Sequence, residues 1–116
     1  MRNINKKIMR KLIGEKQFLN MTTTPELRKV ISESNYSTNG ETFIVIKNID
    51  SCEILLNSKT TNHIFIKALT KVTIVPDNNK IDELYDEILI DKGACVEFYL
   101  VEDIWYISSS DGLKLE

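Results

Sequence analysis

From Glu41 onward, short apolar runs alternate with turn-forming residues, and this spacing constrains the fold more than any other feature. The runs are rich in Ile, Val and Phe, and clusters of Asn, Asp, Ser, Thr and Gly separate them, which is typical of strands joined by turns. No segment of helical length lies between them, so we expect antiparallel pairing. The predicted strands are TFIVIK (42–47), CEILLN (52–57), HIFIKAL (63–69), KVTIV (71–75), EILI (87–90), CVEFYLV (95–101) and IWYIS (104–108).

This pattern predicts a mainly β chain that folds as a small antiparallel β-sandwich, jelly-roll-like, with seven or eight strands. Strict alternation in KVTIV indicates a strand with one face in water. The unbroken runs TFIVI and CVEFYLV indicate strands covered on both faces, by the core on one side and by a neighbouring subunit on the other. The chain of 116 residues fits one such domain, since domains typically hold roughly 100–150 residues.

The first thirty residues have a different character, because they carry eight basic side chains against two acidic ones, while the remainder is acidic. Apolar residues there recur at helical spacing between lysines and arginines, which predicts a short amphipathic helix. Thr23 and Thr24 precede Pro25 and Glu26, a signal for the start of a second short helix over residues 25–33. We therefore divide the chain into a basic N-terminal arm with one or two short helices (residues 1–38) and a β-sandwich domain (residues 39–116).

A basic arm attached to an acidic domain is expected to seek an anionic surface, whether nucleic acid, membrane or the acidic face of a protein. No run in the chain approaches the about 20 apolar residues that span a bilayer, so a soluble protein is expected. The arm residues predicted to bind a partner are Ile4, Lys6, Lys7, Ile8, Arg10, Lys11 and Leu12.

The sequence holds few of the side chains that carry out chemistry. His63 is the single histidine and has no nucleophile turn beside it, and the four glycines form neither of the common phosphate-binding loops. Cys52 and Cys95 belong to no C-x-x-C pair and lie in apolar runs, so we expect two buried thiols. We predict no catalytic residue, no cofactor and no metal ligand, and hence a protein that is not an enzyme.

Two further groups leave alternatives open. The segment IDELYDEILID holds five acids, at Asp82, Glu83, Asp86, Glu87 and Asp91, which fit a solvated loop, a docking patch for basic residues or a divalent-cation site. Alternation places Trp105 and Tyr106 on opposite faces of a strand, so at most one of them lies in the core. Together with Tyr99 on the preceding strand, this pair is predicted to fill the core and contact a partner, with a sugar-stacking platform as the alternative.

Residues 64–114 resemble a recurrent element of structural proteins in tailed bacteriophages. A K-x-L-x-x-V-T-I-x-P strand pair (Lys67 to Pro76) precedes an I-D loop at Ile81, then a K-G-A-x-V-E-F strand (Lys92 to Phe98) and a closing W-Y-I-x-S-S-D-G hairpin (Trp105 to Gly112). Such elements are similar to those of head-decoration, head-fibre and tail-fibre proteins. The Asn-, Lys- and Ile-rich composition is also similar to small capsid proteins of crAss-like phages.

The resemblance implies an auxiliary or decoration protein of a phage capsid, assembled in the cytoplasm of the bacterial host and present in the virion. Its expected partners are the major capsid protein or other virion subunits, with a homo-oligomer left open, and neither a membrane nor a specific nucleic acid is expected. A head-fibre, neck or tail-fibre component and a carbohydrate-binding module are the alternatives. An enzyme on a jelly-roll scaffold is disfavoured, because cupin metal sites usually use two or more histidines.

Overall fold

The computed structural model describes residues 27–113, and every regular element among them is a β-strand. All seven predicted strands are present, and two further strands precede them. The nine strands are β1 (Arg28–Ile31), β2 (Asn35–Ser37), β3 (Phe43–Ile46), β4 (Ser51–Leu56), β5 (His63–Ala68), β6 (Lys71–Pro76), β7 (Ile88–Ile90), β8 (Cys95–Val101) and β9 (Ile104–Asp111).

The strands form two mixed sheets, and the prediction of antiparallel pairing is wrong for β1 to β6. The five-stranded sheet has the order β1-β3-β5-β8-β9, and the four-stranded sheet has the order β2-β4-β6-β7. Within the first six strands every pairing is parallel, with Phe43 beside Phe65 in one sheet and Ser51 beside Lys71 in the other. The chain therefore coils, placing odd strands in one sheet and even strands in the other, like the turns of a β-solenoid.

The parallel pairing was missed because a crossover between parallel strands normally contains a helix. Here each crossover is a strand of the opposite sheet, so the connection between two parallel strands needs only one short strand and two tight turns. The last three strands pair antiparallel and close the coil: β7 joins β6, while the β8–β9 hairpin adds to β5. Gly93 and Gly112 have φ of 97° and 83° in the turns where the sequence placed them, a conformation that only glycine adopts without strain.

The core lies between the inner faces of the two sheets and is built from stacked aliphatic side chains. Ile44 and Ile66 pair in register on one sheet, and Ile54 and Ile74 pair in register on the other, all completely buried. Stacking like residues from successive coils fills the interior continuously, which a single coil cannot do. Trp105 from the closing hairpin is also completely buried and covers the end of this core.

The corners between coils are joined by polar side chains. Thr38 and Thr61 are buried, and their hydroxyl oxygens accept hydrogen bonds from the backbone N–H groups of Asn57 (2.9 Å) and Gly40 (3.0 Å). Glu41, also buried, accepts hydrogen bonds from the Tyr36 hydroxyl and from a backbone N–H. The two threonines therefore link neighbouring coils and hold them in register, while Glu41 is satisfied within its own coil.

The predicted helix over residues 25–33 is wrong, because Arg28–Ile31 is strand β1. The hydroxyl-Pro-Glu signal is local, whereas pairing with β3 supplies ladder hydrogen bonds and buries Ile31, and tertiary context of this kind overrides a helix-start signal. Strands β1 and β2 belong to the sheets, so the β domain begins before the predicted boundary at residue 39. The amphipathic helix predicted within residues 4–19 lies outside the described residues.

Candidate functional site

The outer face of the five-stranded sheet carries most of the aromatic side chains that the core does not use. Alternation along each strand turns one set of residues inward and the next outward, and the register aligns the outward sets across the sheet. We call this surface the aromatic face; its apolar and aromatic members are Val30, Phe43, Val45, His63, Phe65, Cys95, Tyr99, Val101, Ile104 and Tyr106.

The rings of the aromatic face form a continuous row across three strands. The ring centroids of Phe43 and Phe65 lie 6.4 Å apart, and those of Phe65 and His63 lie 5.7 Å apart with an edge-to-face geometry. His63 in turn stacks on Tyr99 with a centroid distance of 4.2 Å. Tyr99 remains 44% exposed, and Val30 and Val101 are about half exposed. This row of partly exposed rings, with valines beside it, is a candidate surface for binding another molecule.

A polar cluster around Glu97 lies in the middle of the aromatic face. Glu97 Oε2 lies 2.6 Å from His63 Nε2, while its Oε1 accepts hydrogen bonds from the hydroxyls of Ser108 (2.7 Å) and Ser109 (3.0 Å). These bonds, above all the one to His63, hold the pKa of Glu97 below its usual value. The carboxylate therefore stays ionised and keeps one orientation.

A β-bulge makes this cluster possible. Glu97 pairs with Ser109, but the next residue, Phe98, pairs with Ile107, so Ser108 is an extra residue on β9. A bulge of this type changes the direction of a side chain without ending the strand. Both serine hydroxyls consequently reach the same carboxylate.

The outer face of the four-stranded sheet is more polar. Its outward positions include Asn35, Ser51, Glu53 and Lys71, all exposed. A groove of about 370 Å³ runs along this face beside Leu89. The two outer faces thus differ in chemistry, and the aromatic one is the better candidate for a binding surface.

The two aromatic residues singled out from the sequence have opposite environments, as predicted. Trp105 is completely buried, so a role in contacting a partner or stacking on a sugar does not fit its position. Tyr106 lies on the aromatic face, and its hydroxyl donates a hydrogen bond to Glu83 (2.9 Å), which raises the pKa of Tyr106. The predicted arm residues, from Ile4 to Leu12, lie outside the described part of the chain.

The acidic segment packs along the outer edge of β9. The Asp82 N–H donates to the Trp105 carbonyl (2.9 Å), and Asp82 Oδ1 accepts from the Ile107 N–H (3.0 Å). These bonds satisfy an edge that would otherwise invite further strands. Asp86 instead forms an exposed ion pair with Lys80 (3.5 Å). Within residues 27–113 no group of three or more potential ligands is placed to hold a metal ion.

Sequence reasoning weighed Tyr99 as an exposed aromatic but did not single out Phe43 and Phe65 as surface residues, because a run of apolar residues does not reveal which positions face outward. One signal was available: the dipeptide Phe-Ile opens both FIVIK and FIKAL, and these two dipeptides pair in register between β3 and β5. Both thiols are free, with Cys52 buried and Cys95 partly exposed.

Comparisons with known proteins identify no relative. A scan against protein-family models gave no match, and a search of curated proteins gave no significant match. Among the residues that the structure describes, there is no apolar helix of membrane-spanning length.

Proposed function

We propose that this chain is a structural component of a phage virion, an auxiliary or decoration protein that binds and stabilises the major capsid lattice. The observation that carries the proposal is the aromatic face, where Phe43, Phe65 and Tyr99 lie side by side on an otherwise well-packed domain. A small domain gains stability when such a surface is buried against a partner. Binding, rather than turnover, is the role that this surface fits best.

The residues that resemble phage structural proteins also support the proposal. The K-G-A-x-V-E-F segment forms the turn before β8 and the first part of that strand, and the W-Y-I-x-S-S-D-G segment forms most of β9. Together they make the hairpin that closes the core with Trp105 and supplies Glu97 to the aromatic face. The resemblance therefore coincides with the part of the fold that builds the candidate surface.

In this proposal the basic arm makes a second contact. Its cationic side chains are suited to an acidic face of a neighbouring subunit, and its apolar residues at helical spacing are suited to a groove. The domain and the arm would then be attached to different sites in the lattice. The arm residues that carry this part of the proposal are Ile4, Lys6, Lys7, Ile8, Arg10, Lys11 and Leu12.

Co-sedimentation of the full chain with capsids of the phage that encodes it tests the proposal. Replacing four of the basic arm residues by Glu is expected to abolish sedimentation with capsids, while the purified variant keeps its thermal transition. A matched control replaces four exposed lysines of the domain by Glu and is expected to sediment nearly as wild type. Failure of the wild-type chain to sediment with capsids contradicts the proposal, as does a gene position far from any capsid or portal gene. The arm residues are Lys6, Lys7, Arg10 and Lys11, and the control lysines are Lys59, Lys71, Lys80 and Lys92.

A carbohydrate-binding module is a second candidate, and the exposed ring of Tyr99 favours it. The ring is held in place by stacking on His63, and the hydroxyls of Ser108 and Ser109 lie on the same strand pair. Rigid aromatic rings beside polar groups are suited to sugar binding. Binding to a glycan array that is lost in Tyr99→Ala and kept in Val101→Ala would favour this function over capsid binding.

A further inference from the structure

One row of side chains on the aromatic face is self-complementary. In register across four neighbouring strands lie Arg28, Phe43, Phe65 and Glu97, on β1, β3, β5 and β8. The row begins with a positive charge, continues with two aromatic rings and ends with a negative charge. A second copy can face this surface across a two-fold axis that runs parallel to the strands, between β3 and β5. The axis reverses the order of the row in the second copy, so each positive end lies opposite a negative end.

We propose that the aromatic face binds a second copy of this chain in a two-fold symmetric pair. Phe43 of one copy then packs against the partner's Phe65, and Arg28 lies opposite the partner's Glu97. Symmetry makes each of these contacts twice, so four residues per copy define the centre of the interface. The inference rests on the proposed function in one respect: it makes the subunit that covers the aromatic face a second copy of this chain, so the contact with the major capsid protein is then left to the basic arm.

Arg28 and Glu97, at the two ends of the row, are placed to make this contact. Three side chains already hold Glu97 in one orientation, and its side chain is 13% exposed, so one acceptor position, on Oε2, is left for a guanidinium. Arg28 is exposed at the edge strand. A charge pair at each end of the row fixes the register of the two partners more than it adds affinity.

The adjacent row supports the same axis. It contains Val30 on β1, Val45 on β3 and Lys67 on β5, and Val30 is 51% exposed. Lys67 Nζ donates a hydrogen bond to the Gly93 carbonyl (2.9 Å), which turns its charge toward the end of the sheet. The aliphatic part of Lys67 is left to cover the partner's Val45, as long cationic side chains commonly do.

The small size of the face indicates a weak pair. Strands lie about 4.8 Å apart and residues rise about 3.3 Å, so four strands of four residues present on the order of 200 Å² in projection. This is small beside the roughly 800 Å² per partner of a standard interface, so the pair is expected to dissociate in the micromolar to millimolar range. A lattice that holds many copies close together would favour such weak pairing.

Sedimentation velocity of the purified full chain, up to about 1 mM, measures the pairing. The average mass of the wild-type chain is expected to rise with concentration from that of a monomer toward that of a dimer. Phe65→Lys places an ammonium against the partner's Phe43 and is expected to raise the dissociation constant at least about tenfold. Leu55→Lys makes the same change at a half-buried position on the opposite outer face and is expected to dimerise as wild type.

A second pair of variants tests the charged ends and keeps the test decisive if Phe65→Lys fails to fold. Arg28→Glu faces the partner's Glu97 with a like charge and is expected to weaken the pair, whereas Lys71→Glu carries the same charge change on the opposite face and is expected to leave it intact. A monomer at all concentrations, a trimer, or an Arg28→Glu dimer of wild-type affinity overturns the inference. Capsid co-sedimentation by a chain that stays monomeric would overturn the inference and leave the proposed function standing.

Discussion

His63 Nε2 and Glu97 Oε2 lie 2.6 Å apart across the antiparallel pair β5–β8, in the centre of the aromatic face. His63 also stacks on Tyr99, so one side chain links the polar cluster to the aromatic row. Glu97 in turn accepts from two serines on β9. The pair therefore ties three adjacent strands together on the solvent side of the sheet.

This pairing predicts how stability depends on pH. The folded chain lowers the pKa of Glu97 from its ordinary value of 4.5, mainly through His63. A group with a depressed folded pKa contributes stability above its unfolded pKa and loses that contribution as the pH falls through the folded value. Glu97→Gln is therefore expected to melt below wild type at pH 6–7, with the difference shrinking as the pH falls below about 4.5.

Thermal unfolding of both proteins across this range checks the prediction. Glu53→Gln removes a carboxylate from the polar outer face of the other sheet and serves as the control for the loss of one charge. A difference between wild type and Glu97→Gln that persists unchanged at low pH would show that the carboxylate's ionisation is not its source.

The sequence predicts where the strands lie, but it does not predict which strands pair with each other. Turn clusters at Asn48–Asp50 and Ser58–Asn62 mark the limits of strands locally, so all seven predicted strands are present. Which strand pairs with which depends on contacts between residues about twenty positions apart, such as Phe43 with Phe65. The alternation of one strand carries no information on its partner, so the parallel coil could not be read from it.

The composition of the aromatic face was also not predictable from the sequence. Alternation showed that Trp105 and Tyr106 face opposite ways, yet it did not say which of them faces the core. That choice follows from register: Trp105 pairs with Leu100, which packs on the core, while Tyr106 pairs with the exposed Tyr99. Glu97 looked like one acid among many, because its partners His63, Ser108 and Ser109 are brought to it only by pairing and by a bulge.

Trp105 is predicted to stabilise the fold through its volume and not through its polar atom. Its side chain is completely buried, and its Nε1 finds no hydrogen-bond acceptor among the described residues. Trp105→Ala leaves a large cavity at the end of the core and is expected to lower the free energy of unfolding by about 3–5 kcal/mol. Trp105→Phe keeps a ring and removes an unsatisfied donor, so it is expected to cost clearly less. Urea denaturation of both variants measures the contrast, and equal losses would contradict it.

The β8–β9 turn is predicted to accept a stabilising substitution. Val101 pairs with Ile104, and the two residues between them, Glu102 and Asp103, have φ of 49° and 68°. Two-residue hairpin loops with positive φ at both positions strongly favour glycine at the second. Asp103→Gly is therefore expected to raise the free energy of unfolding by about 0.5–1 kcal/mol.

Gly93→Ala is the opposite test of backbone conformation. A Cβ added at Gly93 would meet no atom within 4 Å, so any loss of stability arises from its φ of 97° and not from a clash. We expect Gly93→Ala to lower the free energy of unfolding by about 1 kcal/mol. If Asp103→Gly destabilises the chain while Gly93→Ala is neutral, positive φ does not control these turns.

The two thiols are predicted to react at different rates in the folded chain. Burial raises the pKa of Cys52 to about 11, and burial also raises the pKa of Cys95, which remains partly exposed on the aromatic face. The thiolate is the reactive species, so at pH 8 Cys52 has only on the order of 0.1% of its thiol ionised and little access for a reagent.

Alkylation followed by peptide mass spectrometry is expected to label Cys95 first and Cys52 only after unfolding in denaturant. Pairing through the aromatic face would slow labelling of Cys95 as the protein concentration rises, because Val30 of the second copy would lie against it. Labelling of Cys52 before Cys95 in the native chain would contradict the burial that the two sheets provide.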